Sequence, residues 1–314
     1  MSQALRILTV TLNPAFDLVG RVPRIEIGEV NTVETLGLYP AGKGINVAKV
    51  LADLDVDLSV SGFLGKDNQG DFVQLFEQNK LDDQFQRIDG KTRINVKITE
   101  TENDVTDLNF LGFNVSEQDW QTFVDHSQQW HTQFDLVAVC GSLPRGISAE
   151  QFADWLKSLK NQGLKVVLDS SNAALTAGLK ASPWLVKPNH RELETWIGRK
   201  LNSIDEIIDA AKELQAQDIE NVIISMGAEG SIWLSKDAIL QAQPPRCENV
   251  VSTVGAGDSM VAGLIYGLTK GFEQAHTLAF ASATSALAVS QSNVGVSDKA
   301  QLETILQQVK ISQL

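Results

Sequence analysis

Near the C-terminal end the chain reads "STVGAGDSM", placing Asp258 directly behind the small residues Gly255, Ala256 and Gly257 at the start of a helix-spaced apolar run. Glycines let a ligand approach the backbone closely, and a helix start offers unpaired N–H groups, so a turn of this kind binds an anion. A carboxylate beside a bound phosphate is electrostatically costly unless its charge has a task. One such task is to accept a proton. The stretch therefore reads as an anion-binding turn and a catalytic carboxylate together. It is not a dinucleotide fingerprint, because Met260 stands where that pattern needs a third glycine, and no Walker A run occurs in the chain.

Four further stretches carry residues of chemical interest. In "YPAGKGINVAKVL", Gly42 and Gly44 flank Lys43 before a helix. A lysine there stands against the helix macrodipole, which makes sense where an anion is bound; a solvated lysine on a glycine-rich turn is the other reading. In "TLNPAFD", Asn13-Pro14 stops the first strand and leaves Asp17 beyond its carboxyl end, either as a polyol ligand or as a turn cap. In "VKPNHRELE", Asn189 and Glu192 share a helix face, an oxygen pair suited to Mg²⁺ held partly through water or, more simply, to a capping box. In "ISMGAEGSIWL", the turn from Ser225 through Met226, Gly227, Ala228 and Glu229 to Gly230 is either a plain hairpin or a close approach to a nucleotide phosphate.

The elements that must hold these residues follow a βαβ rhythm. "RILTVTL", "DLSVSGFLG", "FDLVAVCGS", "LKVVLDSS", "SPWLVKPN" and "NVIISMG" are continuous apolar runs that end in turns, as expected of parallel strands buried on both faces. Helical stripes lie between or after them: Phe152, Trp155, Leu156 and Leu159; Ile204, Ile207, Ile208, Ala211 and Leu214; and Leu302, Ile305, Leu306 and Val309. The expected fold is α/β, a mainly parallel sheet sandwiched by helices, with 1–314 forming a single domain. Two segments, about 17–40 and 93–110, show period-two patterning with no helix and predict a small antiparallel β lid over the mouth of the sheet. Its open edges and apolar face, with Val33, Leu36 and Leu38 among the candidates, predict a homodimer through the lid.

Composition limits the function classes. The net charge of −13 argues against a sequence-independent grip on nucleic acid. No apolar stretch is long enough to span a bilayer, and the N-terminal run lacks the pattern of a signal peptide. The two cysteines, Cys140 and Cys247, have no metal-type spacing and read as reduced, so a cytoplasmic location without a membrane is expected.

Taken in order along the chain, "NPAFD", "AGKGINVA", "KPNHRE", "SMGAEG" and "STVGAGDS" resemble the ribokinase-like sugar kinases, the PfkB family. The "GKGIN" and "TLNPAFD" stretches are similar to its branch acting on phosphorylated ketohexoses. The resemblance implies a ribokinase-like fold, ATP and Mg²⁺ as cofactors, and a ketohexose phosphate as substrate. It implies Asp258 as general base and Gly255, Ala256 and Gly257 as the anion hole for the migrating phosphoryl group. Asn189 and Glu192 would order Mg²⁺. Lys187 and the Ser225–Gly230 turn, with Gly257 and Asp258, would face ATP. Asp17, Gly42, Lys43 and Asn46 would face the sugar phosphate, with Arg93 as a second cation on its existing phosphate. Two departures stand out: Ser252 replaces the aspartate associated with a monovalent-cation site, which leaves potassium activation in doubt, and Ala41 replaces a common glycine. Two readings from other classes are a non-catalytic sugar-phosphate-binding regulator and a hydride-transferring Rossmann enzyme, and the failed fingerprint speaks against the second.

Overall fold

The first strand, Ile7–Thr11 (β1), is buried at every position, with Ile7 and Leu8 entering cores on opposite faces of the sheet. The computed structural model describes residues 5–100, 105–247, 250–291 and 293–314. After β1 the chain forms β2 (Ala15–Val22), β3 (Glu34–Ala41), α1 (Lys43–Asp53), β4 (Leu58–Gly65), α2 (Gly70–Gln78), β5 (Asp82–Ile88), β6 (Arg93–Glu100) and β7 (Val105–Asn109). The middle contributes α3 (Glu117–Ser127), α4 (Trp130–Gln133), β8 (Leu136–Cys140), α5 (Ala149–Asn161), β9 (Lys165–Asp169), α6 (Asn172–Leu179), β10 (Leu185–Val186), α7 (His190–Ile197) and α8 (Ile204–Gln215). The last third holds β11 (Asn221–Ser225), β12 (Ser231–Leu234), β13 (Ile239–Gln243), α9 (Ala256–Lys270), α10 (Gln274–Val289), α11 (Lys299–Leu306) and β14 (Lys310–Gln313).

Ten strands form one sheet in the order β14-β13-β12-β11-β10-β9-β8-β1-β4-β5. From β5 to β11 neighbouring strands are parallel, and β12, β13 and β14 extend the edge with antiparallel pairs. The chain builds outward from β1 to β4 and β5 on one side, then crosses to β8 on the other. The topological switch point, where open α/β sheets bind ligands, therefore lies at the carboxyl ends of β1 and β8. One face of the sheet packs against α3 and α5 to α8 through side chains such as Trp120, Trp155, Leu193 and Leu214. The other packs against α1, α2, α9 and α10 through Val47, Phe72, Leu264 and Leu278. The α9–α10 contact depends on Gly263, where a Cβ would come within 2.6 Å of the Ala281 Cα. No helix among the described residues is long and apolar enough to cross a membrane.

The two helix-free segments do meet in a separate four-stranded sheet, in the order β3-β2-β6-β7. The expectation of an antiparallel lid needs one correction, because its central pair, β2 with β6, is parallel while the two outer pairs are antiparallel. The reason is topological. Both β2 and β6 follow strands of the parallel sheet, β1 and β5, and so leave its carboxyl edge in the same direction. Directly paired residues share a face, so Leu18, Leu38, Val96 and Leu108 line one side and Asp17, Asn95 and Asn109 the other. Leu36, Leu38 and Leu108 are exposed, whereas Val33 is half-buried and lies over Gly20.

Candidate active site

The glycine turn and its aspartate adopt the geometry their types require. Gly255 caps α9 in a left-handed conformation (φ 78°), and a side chain there would also collide with Val294. Asp258 sits in the first turn of α9 and is 6% exposed. The Asn46 Nδ2 donates to Asp258 Oδ2 at 2.7 Å. Burial pushes the Asp258 carboxyl up to about 6; Lys43, Asn46 and Lys187 oppose the rise, and Asp169 adds to it. A carboxyl poised near neutrality inside a helix-start turn can receive a proton from a hydroxyl.

Around it lies a compact charge cluster. Lys43, the first residue of α1, and Lys187, just after β10, share the carboxylate of Asp169 at the end of β9, at 3.5 Å and 3.3 Å. The lysine ammonium of Lys187 also approaches the anion-binding turn, since a methyl on Gly257 would stand 3.4 Å from its Nζ. Burial alone would raise the Asp169 carboxyl, but the two lysines outweigh it and hold it below the usual range. The Asp169 charge in turn raises Lys43 against its desolvation, with smaller contributions from Asp258 and Glu192. Sequence reading singled out both lysines and missed Asp169. The available signal was its place at the carboxyl end of the run "LKVVLDSS".

The third and fourth stretches also come together. Ser225 N donates to Pro188 O at 3.1 Å, and Ser225 forms a parallel bridge with Asn189. The turn closes when Met226 N donates to Gly230 O at 2.8 Å. Asn189 and Glu192 form a full capping box at the start of α7: the Asn189 Oδ1 accepts from Glu192 N at 2.9 Å, and Glu192 Oε2 accepts from Asn189 N at 2.8 Å. The simpler local reading is thus realised. Among the described residues no group of three or more His, Cys, Asp or Glu could hold a metal. With one oxygen of each residue engaged by the backbone, this donor set fits an ion held through water and carried on phosphates rather than an all-protein cage.

Asp17 and Arg93 belong to a second cluster, on the lid. Asp17 accepts from Asn95 Nδ2 at 3.3 Å and lies 3.8 Å from Lys97, which is 3.2 Å from Asp107. Burial raises the Asp17 carboxyl, with Lys97 and Asn95 opposing. Lys97 was not foreseen, because a lysine in a period-two strand has no local signature beyond an exposed position. Arg93 donates to three backbone carbonyls, those of Asn13, Pro14 and Phe110. At the switch point itself, Asn13 Nδ2 donates to Ser142 Oγ at 3.1 Å, linking the segments that follow β1 and β8. Ser252 Oγ accepts from Val254 N at 3.1 Å, and Ser252 N bonds to Val289 O, so this residue ties the approach to the glycine turn.

Comparison with known proteins finds similar chains along nearly the whole length. A 1-phosphofructokinase of Haemophilus influenzae is 68% identical over 308 residues, covering 98% of each chain. The Escherichia coli K12 1-phosphofructokinase is 56% identical over 306 residues, again covering 98% of each. The crystal structure of E. coli phosphofructokinase-2 in complex with potassium superposes with a TM-score of 0.88 over 96% of this chain and 98% of that one, at 24% identity, and so shares the fold. The profile of the pfkB family carbohydrate kinases matches residues 10–301, and the chain belongs to that family.

Proposed function

We propose that this protein transfers the γ-phosphoryl group of ATP to fructose 1-phosphate, giving fructose 1,6-bisphosphate and ADP in the cytoplasm. The identity to 1-phosphofructokinases over nearly the whole chain supports the substrate. The observation that carries the mechanism is the buried Asp258 held inside the Gly255–Gly257 turn, with two lysines meeting at Asp169 beside it. Asp258 takes the proton of the acceptor hydroxyl as that oxygen attacks. The Gly255 to Gly257 backbone receives the charge developing on the migrating group, where donors fixed in advance act without reorganising. Lys187 and the Ser225–Gly230 turn bind the nucleotide phosphates. Asn189 and Glu192 would hold Mg²⁺ through water, and that ion when bound neutralises phosphate charge. Lys43, Gly42 and Asn46 bind the sugar phosphate from the main sheet, and Asp17 and Arg93 do so from the lid.

Initial rates with ATP against fructose 1-phosphate, fructose 6-phosphate, tagatose 6-phosphate and free fructose test the assignment. Fructose 1-phosphate is expected to be best and free fructose close to inactive; a preference for either 6-phosphate would reassign the substrate. Lys43→Ala is expected to raise KM for the sugar phosphate by an order of magnitude or more, since a phosphate contact acts in the ground and transition states alike. An unchanged KM would remove Lys43 from the substrate site.

The exposed Leu38 and Leu108 on the lid's apolar side, with exposed Leu36 near them in β3, support a homodimer in which the two lids pack on each other. Light scattering across the micromolar range is expected to give twice the chain mass. Replacing Leu38 and Leu108 together by Ser should give the monomer, and a wild-type monomer throughout would dismiss the interface.

A further inference from the structure

Resting on the reading of Asp258 as the base, we propose that Asn46 is a positioning residue for that carboxylate. Its amide fixes one carboxylate oxygen and leaves the other for the acceptor hydroxyl. The 2.7 Å bond from Asn46 Nδ2 to Asp258 Oδ2 joins α1 to α9 across 212 positions of sequence. Among the described residues no hydrogen bond is made to Oδ1. A carboxylate free to turn about its last bond offers its lone pairs in many directions, and an N–H donated to the charged form stops that rotation.

The donor is itself rigidly placed. Asn46 N donates to Gly42 O at 2.8 Å, closing the first turn of α1, and Asn46 lies one turn beyond Lys43 on the same helix face. One helix start therefore carries both the cation assigned to the substrate's phosphate and the donor that aims the base. Sugar binding and base alignment are set by the same few residues.

The bond also favours the ionised form of a group that burial drives toward neutrality. The charged and titratable groups around Asp258 are Lys43 on α1, Asp169 at the end of β9, Lys187 after β10 and Cys140 at the end of β8. Burial raises the Cys140 thiol well above its ordinary range, so it adds no charge near neutrality. The two ammonium groups already share Asp169. Asn46 is the neutral donor on Asp258, and its loss leaves that oxygen without its hydrogen bond.

The test compares Asn46→Ala, Asn46→Asp and Asp258→Asn, measuring the single-turnover rate of phosphoryl transfer and KM for both substrates between pH 5 and 9. Thermal melts confirm folding, and Asn46→Ser is read in the same way as the alanine variant should that one not fold. Asn46→Ala is expected to slow transfer at pH 7 about tenfold or more and to move the acid limb up by about one pH unit, the size of a lost hydrogen bond to a charge. Asn46→Asp sets a second carboxylate against Asp258 and should move the limb further up, with activity returning toward pH 9. A KM increase for the sugar phosphate alone, with the acid limb in place in both variants, would overturn the positioning role and leave Asn46 only the sugar-phosphate contact proposed above. If Asp258→Asn keeps near-normal transfer, the reading of the base fails instead; if it collapses while the Asn46 limb stays put, only the positioning role fails.

Discussion

Asp258→Asn is expected to give a folded protein whose kcat is lower by about 10²-fold or more, the usual contribution of a general base. Asparagine keeps the size of the side chain and still accepts a hydrogen bond from Asn46, but it cannot take up the proton. KM for ATP and for fructose 1-phosphate should change little, because the missing interaction belongs to the transition state. An aspartate that only capped the helix would behave otherwise, since asparagine is an equally good cap and turnover would stay near normal. Steady-state kinetics on the purified variant therefore separate the two roles. On the proposed reading of Asp258 as the base, it acts only when ionised, so with its carboxyl at about 6 the wild-type activity is expected to fall as pH drops through that value.

The same substitution has a stability signature of opposite sign. The folded-state value of Asp258 lies above the ordinary 3.8, so the native state binds this proton more tightly than the unfolded chain does. Its contribution to stability is full below about pH 4 and is lost as pH rises through about 6. At pH 7 to 8 the ionised group opposes folding by an amount on the order of 2–3 kcal/mol. Asp258→Asn should consequently melt above wild type at pH 8, with an advantage that shrinks toward pH 4.

Asp169→Asn is expected to be the most damaging change to stability around the site, at about 3–5 kcal/mol, the usual cost of removing one partner from a buried ion pair. Asp169 is 1% exposed, and the Lys187 side chain that it pairs is 4% exposed. The substitution keeps the volume and leaves two ammonium groups facing a neutral amide. A fall in the urea midpoint with an unchanged slope is the expected readout, and adding Lys187→Met should restore part of the loss because it removes the charge left unpaired. With its carboxyl held below the usual range, the stability Asp169 supplies is present at neutral pH and is lost as pH falls through its folded-state value. A midpoint within experimental error of wild type would show that the lysines are solvated in solution.

The parts of this fold that were legible in the sequence are those whose signal is local. β1, β4, β8, β9 and β11 are short apolar runs between turns, and α5 and α8 carry amphipathic stripes with serine caps at Ser148 and Ser203. The starts of α1 and α9 were readable because the glycine turns at Gly42 and Gly255 are followed at once by helix-spaced apolar runs. α10 gave no stripe, because it is buried nearly all round between α9, α11 and the sheet, and a helix apolar on every side has no periodicity to read. The parallel pairing of β2 with β6 depends on which edge each hairpin leaves, which no local pattern encodes. Asp169 was hidden for the same reason: Lys43 lies 126 positions away, and the three charges make sense only once β9 and β10 are adjacent. Arg93 was noticed as a cation, but its engagement with backbone carbonyls of residues 13, 14 and 110 could not be seen from its neighbours in sequence.

The parallel pair at the centre of the small sheet has a mechanical consequence. The segments that follow β1 and β5, strands separated by β4 in the large sheet, meet at Ala15 and Arg93 and stay in register for eight residue pairs up to Val22 and Glu100. β3 also returns to the frame at Ala41, paired with Ala15 and two residues before Lys43 of α1, so neighbouring strand ends at Ala41, Ala15 and Arg93 anchor the slab along one line. Arg93 sits on that line, its guanidinium donating to the carbonyls of Asn13 and Pro14 just where the first segment departs. The small sheet is therefore braced along that edge, with the Arg93 guanidinium bonded across it. Asp17, Asn95 and Lys97 stand on one face of this braced sheet, and its bracing fixes their spacing to one another.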